Sequence, residues 1–444
     1  MLKSVGKKVD AEFFALPVKA AKFPQLFASE LEFNAPTRGM WNIVHTGMLI
    51  PRSHQIFVCA QGCLRGVILT AAEMNAMDRM SFVTVKESDL FDGTLESNAI
   101  EGISAILEEM SVKPQAVLVF LSCIQLFAGC DTQAIYNELQ KRFPAIDFVE
   151  CLMHPTMRKS GLTPDAFMRK QLYAPLRENA VADNKSINII GNDRVTAETS
   201  ELIIMLKNNG FKVKDIAACQ DYDEYLSMSE SFCNISYYPT AKAGNEFLCQ
   251  RLRRKFLHLP LSYSFEEIAE NYRILSEELN IKSDFSQAES EARRTLAEAR
   301  KLIGSMPIAI DYTATLRNLS LARLLLEHDF NVERIYSDVV IPEEKADFEW
   351  LQSHCPELLI SPTLHPAMRF AVKTPGSGDE YLAIGQKAAC FTGSRHLVNI
   401  VSGGGWYGFD GITQMCKAMV NAKNTLSDTE KLIQLKGWGC ESCL

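Results

Sequence analysis

Short apolar runs alternate with amphipathic stretches through the first 185 residues. Four runs rich in β-branched and aromatic residues lie at 54–58, 81–85, 115–121 and 146–150. Between two of them, Leu95–Glu109 repeats apolar residues at helical spacing. Apolar runs this short predict buried parallel strands. The first part of the chain is therefore predicted to form an α/β domain.

The alternation of strands and helices begins again at Ser186 and at Pro307. Helices are predicted in and between these repeats at 197–209, 243–257, 263–279, 286–302 and 315–328. Strands are predicted at 186–191, 212–218, 307–310 and 331–336. Three such units in series predict three doubly wound α/β domains with parallel sheets. We expect these domains to span residues 1–185, 186–305 and 306–444.

Composition narrows the class of protein. The 444-residue chain is 47% hydrophobic, which is ample for several cores, and its net charge is −8. A nucleic-acid partner is not expected, because phosphate binding needs a basic face. The first ten residues lack the apolar core of a signal peptide, and no apolar stretch reaches the ~18 residues of a membrane span. We expect a cytoplasmic protein without a membrane segment.

Two pairs of cysteines lie where predicted strands end. Cys59 and Cys63 follow the first strand, and Cys123 and Cys130 follow the third. Ligands of open α/β sheets bind outside the carboxyl ends of the strands, so we expect both pairs at one sheet edge. Structural disulfides are not expected without a secretion signal, and the C-x2-C spacing that zinc favours is missing here. The pairs therefore predict a metal centre, with iron–sulfur the best candidate.

The other cysteines have simpler interpretations. Cys440 and Cys443 end the chain in a C-x2-C spacing that suits a redox or metal-binding pair, although an exposed tail is equally consistent. Six more are isolated and are expected to be small core residues: Cys219, Cys233, Cys249, Cys355, Cys390 and Cys416.

A glycine-rich segment, Ser402–Gly411, follows a strand predicted at 397–401 and precedes a helix predicted at 412–422. Three consecutive glycines let the backbone approach a ligand closely, and amides at a helix start can face an anion. A flexible loop is the alternative, although its aromatic residues would be costly to leave in water. We predict a cofactor-binding role for Gly403, Gly404, Gly405 and Trp406.

Three further residues are candidates for catalysis. His154 and Arg158 follow the fourth predicted strand, where they could place a proton donor and a fixed charge in a pocket. A surface turn explains them equally well, and His396, before the last strand, has the same two interpretations. The P-loop motif is missing, as is the dinucleotide fingerprint after the first strands, so neither ATP hydrolysis by a P-loop nor bound NAD or FAD is expected.

In this order, the motifs resemble those of nitrogenase component 1 subunits and their relatives. The relatives include the nitrogenase cofactor-assembly scaffold and the light-independent protochlorophyllide reductase. The resemblance covers about residues 33–425, and five segments carry it: Gln61–Cys63 as the Gly-Cys turn, Asp89–Leu95 as the glycine loop, Ser122–Asp131 as the Thr-Cys to Gly-Asp-Asp segment, Ser186–Asn192 as the start of the second domain, and Gly403–Gly411 as the loop over the active cavity.

The resemblance implies three domains around a central cavity and a 4Fe-4S or larger cluster. Cys59, Cys63 and Cys123 would hold the cluster, with Cys130 or a partner-subunit ligand as the fourth. A separate ATP-dependent iron–sulfur reductase would supply electrons. The cavity could hold a second metallocofactor or a tetrapyrrole-like ligand. The chain would form a homodimer, or a heterotetramer with a sister subunit.

The chain also departs from the family pattern. Thr37 stands near the place of a family cysteine, and neither Ala241 nor Val398 supplies the cysteine and histidine that hold the nitrogenase iron–molybdenum cofactor. His396 is two positions away from the expected histidine. Nitrogen fixation is therefore not expected. The leading hypothesis is a reductase subunit with an unknown substrate, and the alternatives are a cofactor-assembly scaffold and a non-catalytic partner subunit.

Overall fold

The computed structural model describes residues 14–27, 32–37, 39, 42–154, 162–178, 180–282 and 284–434. Within these ranges the strands are β1 Leu16–Pro17, β2 Ser53–Cys59, β3 Met80–Thr84, β4 Ala116–Ser122, β5 Asp147–Met153, β6 Asp183–Ile189, β7 Lys212–Asp215, β8 Ser231–Ser236, β9 Lys255–His258, β10 Ile308–Asp311, β11 Val332–Tyr336, β12 Leu359–Ser361, β13 Leu382–Ile384 and β14 Leu397–Val398.

Helices separate most of these strands. They are α1 Ile43–Gly47, α2 Leu64–Glu73, α3 Glu87–Phe91, α4 Leu95–Glu109, α5 Cys123–Phe127, α6 Thr132–Arg142, α7 Pro164–Gln171, α8 Glu201–Asn208, α9 Tyr222–Ser227, α10 Lys242–Leu252, α11 Phe265–Leu279, α12 Ser286–Ile303, α13 Asn318–Glu327, α14 Lys345–His354, α15 Gln386–Thr392, α16 Gly408–Asn424 and α17 Thr429–Gln434. No helix in the described part of the chain is both long and apolar enough to cross a membrane.

Contacts divide the chain into two compact units. Among the described residues, the first unit contains 42–195 and 210–259, and the second contains those up to 39 together with 196–209 and 260–434. The first unit holds two four-stranded sheets, in the orders β3-β2-β4-β5 and β7-β6-β8-β9. The second unit holds one six-stranded sheet, in the order β1-β12-β11-β10-β13-β14.

All three sheets are doubly wound. In each, the chain moves from a central strand to one side and then returns to the other side, and the paired strands are parallel except β1, which runs antiparallel to β12. Such a reversal leaves a crevice at the carboxyl ends of the two central strands, where ligands of α/β proteins bind. The prediction of doubly wound parallel sheets is confirmed. The domain boundaries at 185 and 305 stay a prediction.

The first sheet of the first unit is apolar on both faces. Phe57 of β2 stacks on Phe120 of β4 on one face, with ring centroids 4.3 Å apart. Val58 of β2 and Leu121 of β4 lie in a separate core on the other face. Because both faces are covered by helices, the strands are continuous apolar runs, as the sequence predicts.

The helix predicted at 243–257 is wrong in its last third. Helix α10 ends at Leu252, and Arg253 takes a left-handed conformation with φ of 52°. The chain then forms β9, Lys255–His258, on the edge of the second sheet. An edge strand tolerates charged side chains, so its basic sequence hides the strand.

His54 of β2 should make the first unit sensitive to acid. The side chain is 7% exposed, and its Nε2 lies 2.8 Å from Ser81 Oγ. Burial, reinforced by the Arg79 cation, lowers the pKa of His54 from 6.5 to about 4. Between these values the unfolded chain binds a proton that the folded chain does not, so stability falls as the pH drops. We expect a loss of about 2 kcal/mol in unfolding free energy from pH 7 to pH 5.

The control for this prediction is His54→Gln, which keeps a hydrogen-bonding group near Ser81 but cannot titrate. Urea unfolding of both proteins at the two pH values gives the comparison. The variant should lose less stability on acidification than the parent protein. An equal loss in both would show that other groups govern the acid response.

Candidate metal centre

Three of the four paired cysteines lie at the crevice of the first sheet. β2 and β4 are parallel neighbours, with Val58 opposite Leu121. The next strand after β2 joins the sheet on one side of it, and β4 and β5 join on the other side, so the strand order reverses between β2 and β4. Cys59 is the last residue of β2, Cys63 ends the turn that leads into α2, and Cys123 begins α5 directly after β4. The structure brings Cys59, Cys63 and Cys123 to one sheet edge, whereas no contact among the described residues links Cys130 to them, and the metal-ligand role of all four stays a prediction.

The thiols at this edge differ in accessibility. Cys63 is exposed, Cys123 is half-buried and Cys59 is fully enclosed. Burial, followed by the charges of Cys63 and Cys123, raises the pKa of Cys59 to about 12. The Cys59 thiol is therefore within electrostatic range of both Cys63 and Cys123. A bound metal cation would offset the charge of thiolates here and displace the protons.

Cys130 lies in a different environment. Burial, followed by the nearby charge of Glu96, raises the pKa of Cys130 to about 11. The same Glu96 carboxylate accepts a hydrogen bond from the Asp131 amide at 3.0 Å. An acidic neighbour opposes the thiolate form that iron requires, so Cys130 is the weakest ligand candidate of the four.

The thiol groups at this edge are the right kind of ligand for an iron–sulfur cluster, but too few of them lie in the described part of the chain to hold one. Thiolates are the usual ligands of such clusters. However, no group of three or more His, Cys, Asp or Glu side chains is arranged to hold a metal in the ranges that the structure describes. Cys63 and Cys123 supply two accessible thiols, and Cys59 is within electrostatic range. A cluster here would need further ligands, either from residues outside those ranges or from a second subunit.

Large apolar side chains surround this edge. Helix α3 follows β3 and carries Phe91, which is 82% exposed, next to the exposed Leu90. Helix α5 follows β4 and carries Phe127, which is 72% exposed, next to the exposed Leu126. We call these four residues the apolar rim. Exposed apolar groups concentrated beside polar site residues are typical of surfaces that bind a partner.

His154 lies at the same edge. It follows β5, and its Nε2 lies 3.1 Å from the carbonyl oxygen of Leu121. Burial lowers the pKa of His154, so the ring is neutral at pH 7 and donates through Nε2. Its enclosed Nδ1 has no hydrogen-bond partner among the described residues. The catalytic role of His154 stays a prediction, and Arg158 lies outside the described residues.

His396 lies at the amino ends of the strands of its sheet, not at their carboxyl ends. It precedes β14, so it sits at the amino end of a strand, and its Nδ1 donates to the carbonyl of Ala422 at 2.9 Å. It shares an open groove with Glu380 and Lys423. The carboxyl ends of the strands are where ligands usually bind, so the position adds no support to a catalytic role, which stays a prediction.

The glycine segment forms a tight left-handed turn rather than an open cradle. Residues Ser402–Gly405 all have positive φ, between 50° and 80°. The Gly403 amide donates to Ala314 O at 2.7 Å, and the Gly404 amide donates to Val401 O at 3.1 Å. These amides are therefore already used within the protein. The cofactor-binding role of Gly403, Gly404, Gly405 and Trp406 stays a prediction, and it cannot rest on the amides of Gly403 and Gly404.

The turn should make Gly404 sensitive to substitution. Its φ is +62°, and an added Cβ would lie 3.1 Å from the Ile400 side chain. Gly404→Ala should lower the unfolding free energy by about 1–3 kcal/mol, because a side chain is strained at positive φ. Gly66→Ala is the matched control, since that helical glycine has open space around it and should gain about 0.5–1 kcal/mol. Thermal unfolding of both variants measures the difference, and equal stability would contradict the strained turn.

The sequence interpretation missed a buried carboxylate that anchors α16. Glu201, at the start of α8, accepts hydrogen bonds from Tyr272 Oη at 2.7 Å, from the Asp410 amide at 3.1 Å and from the Phe409 amide. A Cβ on Gly408 would lie 2.1 Å from both Glu201 Oε1 and Tyr272 Oη. The glycines after the turn therefore let Glu201 cap the helix. The partners are 208 positions apart, so no local pattern indicates this contact.

The other cysteines lie outside this edge. Cys233, Cys390 and Cys416 are buried, as expected of core residues, and Cys219, Cys249 and Cys355 are partly buried. Cys440 and Cys443 lie outside the described residues, so the role of that pair stays open.

Comparisons with known proteins agree with the fold. The family model described as nitrogenase component 1 type oxidoreductase matches residues 44–369. The solved structure "Nitrogenase Cp1 at pH 6.5" superposes with a TM-score of 0.64 at 11% identity, covering 90% of this chain and 94% of that one. "Nitrogenase Cp1 at pH 5" gives a TM-score of 0.56 at 12% identity, with coverages of 90% and 91%. At this identity the structures establish the fold alone.

No curated protein sequence matches the chain. The family model nevertheless covers well over half of the 444 residues, and the matched range includes Cys59, Cys63 and Cys123. The chain belongs to the nitrogenase component 1 type oxidoreductase family.

Proposed function

We propose that this chain is a subunit of an iron–sulfur oxidoreductase whose thiol edge holds part of a shared cluster. The single observation that carries the proposal is the approach of Cys59, Cys63 and Cys123 at the crevice between β2 and β4. Cys63 and Cys123 are the main ligands from this chain, and Cys59 would join them after a small local rearrangement. When bound, the cluster supplies one-electron transfer at low potential.

The residues around the thiols suit this role. The enclosed strand ends keep water from one side of the site, and His154 presents a neutral ring beside the backbone that precedes Cys123. Reduction adds negative charge to a cluster. A neutral ring beside it does not oppose this change, whereas a nearby carboxylate would. The chain has no P-loop of its own, so we infer that a separate ATP-dependent iron–sulfur reductase delivers the electrons.

We infer that a second subunit covers the thiol edge. Two accessible thiols do not complete a cluster, and the apolar rim lies next to them. A homodimer or a heterotetramer with a sister subunit would supply the missing ligands and bury the rim. Obligate interfaces of this kind bury ~2,000 Å² or more, which exceeds what four side chains provide, so the interface would extend beyond the rim.

The rim predicts the effect of charge on assembly. The double variant Phe91→Asp and Phe127→Asp should shift the protein from an assembly to a monomer, because two carboxylates would have to be buried without partners. Val112→Asp is the control, since Val112 is exposed in the loop before β4, at the other end of that strand. Light scattering on anaerobic protein measures the mass. A parent protein that is already monomeric would rule out the shared site.

A scaffold for cofactor assembly is the second candidate, and one observation favours it. Ala241 lies where the nitrogenase-type cofactor cysteine is expected, and it packs so closely on Gly191 that an added Cβ there would lie 2.1 Å from the Ala241 methyl. Position 241 therefore supplies no thiol. A protein that releases its cofactor has less need of such a permanent ligand.

Two measurements on one anaerobic preparation separate the candidates. After iron and sulfide reconstitution, the protein is mixed with a nitrogenase iron protein and dithionite, with and without ATP, and reduction of the cluster is followed by its absorbance. Reduction of the cluster that requires both the iron protein and ATP supports the reductase subunit. Transfer of iron and sulfide to an apo-ferredoxin without ATP supports the scaffold. Failure to bind iron at all would refute both.

A further inference from the structure

The second unit contains a cavity that the thiol edge does not use. Its volume is about 190 Å³, and it lies at the carboxyl ends of β10 and β11. Tyr312, Val339 and Leu364 form apolar walls. The position is the one at which α/β sheets bind small molecules. The volume is below the ~300–1,000 Å³ of drug-sized sites, so any ligand is small.

Asn318 gives this cavity an unused polar group. It begins α13, lines the cavity and is 3% exposed. Its amide Nδ2 is enclosed and makes no hydrogen bond within the described ranges. Buried amide groups nearly always have partners, so an unpaired one beside a cavity points to a partner that a ligand supplies.

The acidic groups of the cavity are already occupied. The Asp338 carboxylate accepts hydrogen bonds from the Thr363 and Leu364 amides, at 3.0 Å and 3.1 Å. The Glu344 carboxyl group accepts hydrogen bonds from the Leu319 amide at 2.7 Å and the Ser320 amide at 3.0 Å. It therefore caps the amino end of α13. These acids anchor the walls and leave the Asn318 carboxamide to contact a ligand.

The charge of the surroundings argues against an anionic ligand. Burial raises the pKa of Glu344 to about 8, which favours its neutral form at pH 7, and the Asp338 carboxyl group is the other acidic group that lines the cavity. The Lys387 ammonium lies 5.9 Å from the centroid of the Tyr312 ring and within electrostatic range of the carboxylates of Asp311 and Asp338. Its charge is balanced there, and no free cation lines the cavity in the described part of the chain.

We propose that this cavity binds a small, neutral, planar heterocycle whose edge carries an N–H donor beside a carbonyl or ring-nitrogen acceptor. The carboxamide of Asn318 offers the complementary donor and acceptor, as asparagine does when it pairs with an adenine edge. Tyr312 supplies a flat aromatic wall, and Val339 and Leu364 supply aliphatic contacts to the ring. The proposal does not depend on iron at the thiol edge.

The test is calorimetric titration of the full-length, anaerobically purified protein. Uracil, adenine and 2-pyridone each carry the required edge, 1,3-dimethyluracil lacks the N–H donor, and benzoate is the anionic comparison. At least one of the first three should bind with one equivalent per chain, and about tenfold more tightly than 1,3-dimethyluracil and benzoate. Absence of binding by all three, or equal or tighter binding of benzoate, would overturn the proposal.

Variants place the binding in the cavity. Asn318→Leu should weaken the best heterocycle about tenfold or more, whereas Asn137→Leu, on an exposed position of α6, should leave it unchanged. Val339→Phe is a second test that spares the core, because Val339 is 48% exposed and a larger ring there would fill the cavity. If Asn318→Leu fails to fold, Val339→Phe decides. Undiminished binding by the folded variants would overturn the assignment.

Discussion

Replacement of Cys63 or Cys123 by serine should remove most of the iron from anaerobically reconstituted protein. Both thiols are accessible at the crevice between β2 and β4, and both lie within electrostatic range of Cys59. A serine hydroxyl stays protonated at pH 7 and binds iron far more weakly than a thiolate, so each change removes a ligand. Iron and sulfide analysis, together with the visible absorbance of the cluster, measures the loss.

The other cysteines provide graded controls for this experiment. Cys59→Ser should have a smaller effect, because that thiol is enclosed and must move to reach a metal. Cys130→Ser should have the smallest effect of the four, since Glu96 opposes its thiolate. Cys249→Ser and Cys416→Ser lie outside the edge and should keep full iron. If Cys63→Ser and Cys123→Ser also keep full iron, the ligand assignment is wrong.

Glu201→Ala should be among the most destabilising single substitutions in the second unit. It would leave Tyr272 Oη and the amides of Phe409 and Asp410 without their acceptor inside the protein. Each unsatisfied buried donor costs about 1–3 kcal/mol, so we expect a total loss of about 3–5 kcal/mol in unfolding free energy. Urea unfolding followed by circular dichroism measures this loss.

The neighbouring Glu198 provides the matched control. Its side chain is 72% exposed and pairs with Lys207 on the surface, so Glu198→Ala should change the unfolding free energy by less than about 0.5 kcal/mol. Glu201→Gln keeps one acceptor oxygen and should fall between the two. Similar losses for Glu198→Ala and Glu201→Ala would show that the carboxylate does not hold the start of α16.

Strands that are apolar on both faces could be predicted closely from the sequence. The observed bounds of β2 and β4 differ from the predicted bounds by one residue at each end, because every position of such a strand is buried and the run is continuous. β8 was not predicted, since its polar residues hide it. Ser231 and Asn234 pair with Ser186 and Asn188 of β6, each at 2.8 Å, so their polarity is satisfied inside the sheet. Only the fold provides those partners.

The position of the candidate site could be predicted from the sequence, but the exposure of its thiols could not. The position of the cysteines after two predicted strands was enough to place them at one edge, because parallel strands end together. Their exposure was not predictable, since it depends on which face of β2 the Cys59 side chain takes and on how α2 begins after Cys63. The closed hydrogen bonding of the glycine turn also depends on distant residues, such as Ala314, that no local pattern reveals.

The path of the chain between the two units affects how the protein can be made. The described residues of the first unit end at Leu259, so they leave the ribosome well before the second unit is complete. β1 has no strand to pair with until Ile360 has been synthesised, and apolar α8 must wait for Phe409. A nascent chain therefore exposes early segments of the second unit through much of translation. Such segments are the surfaces that chaperones shield from aggregation.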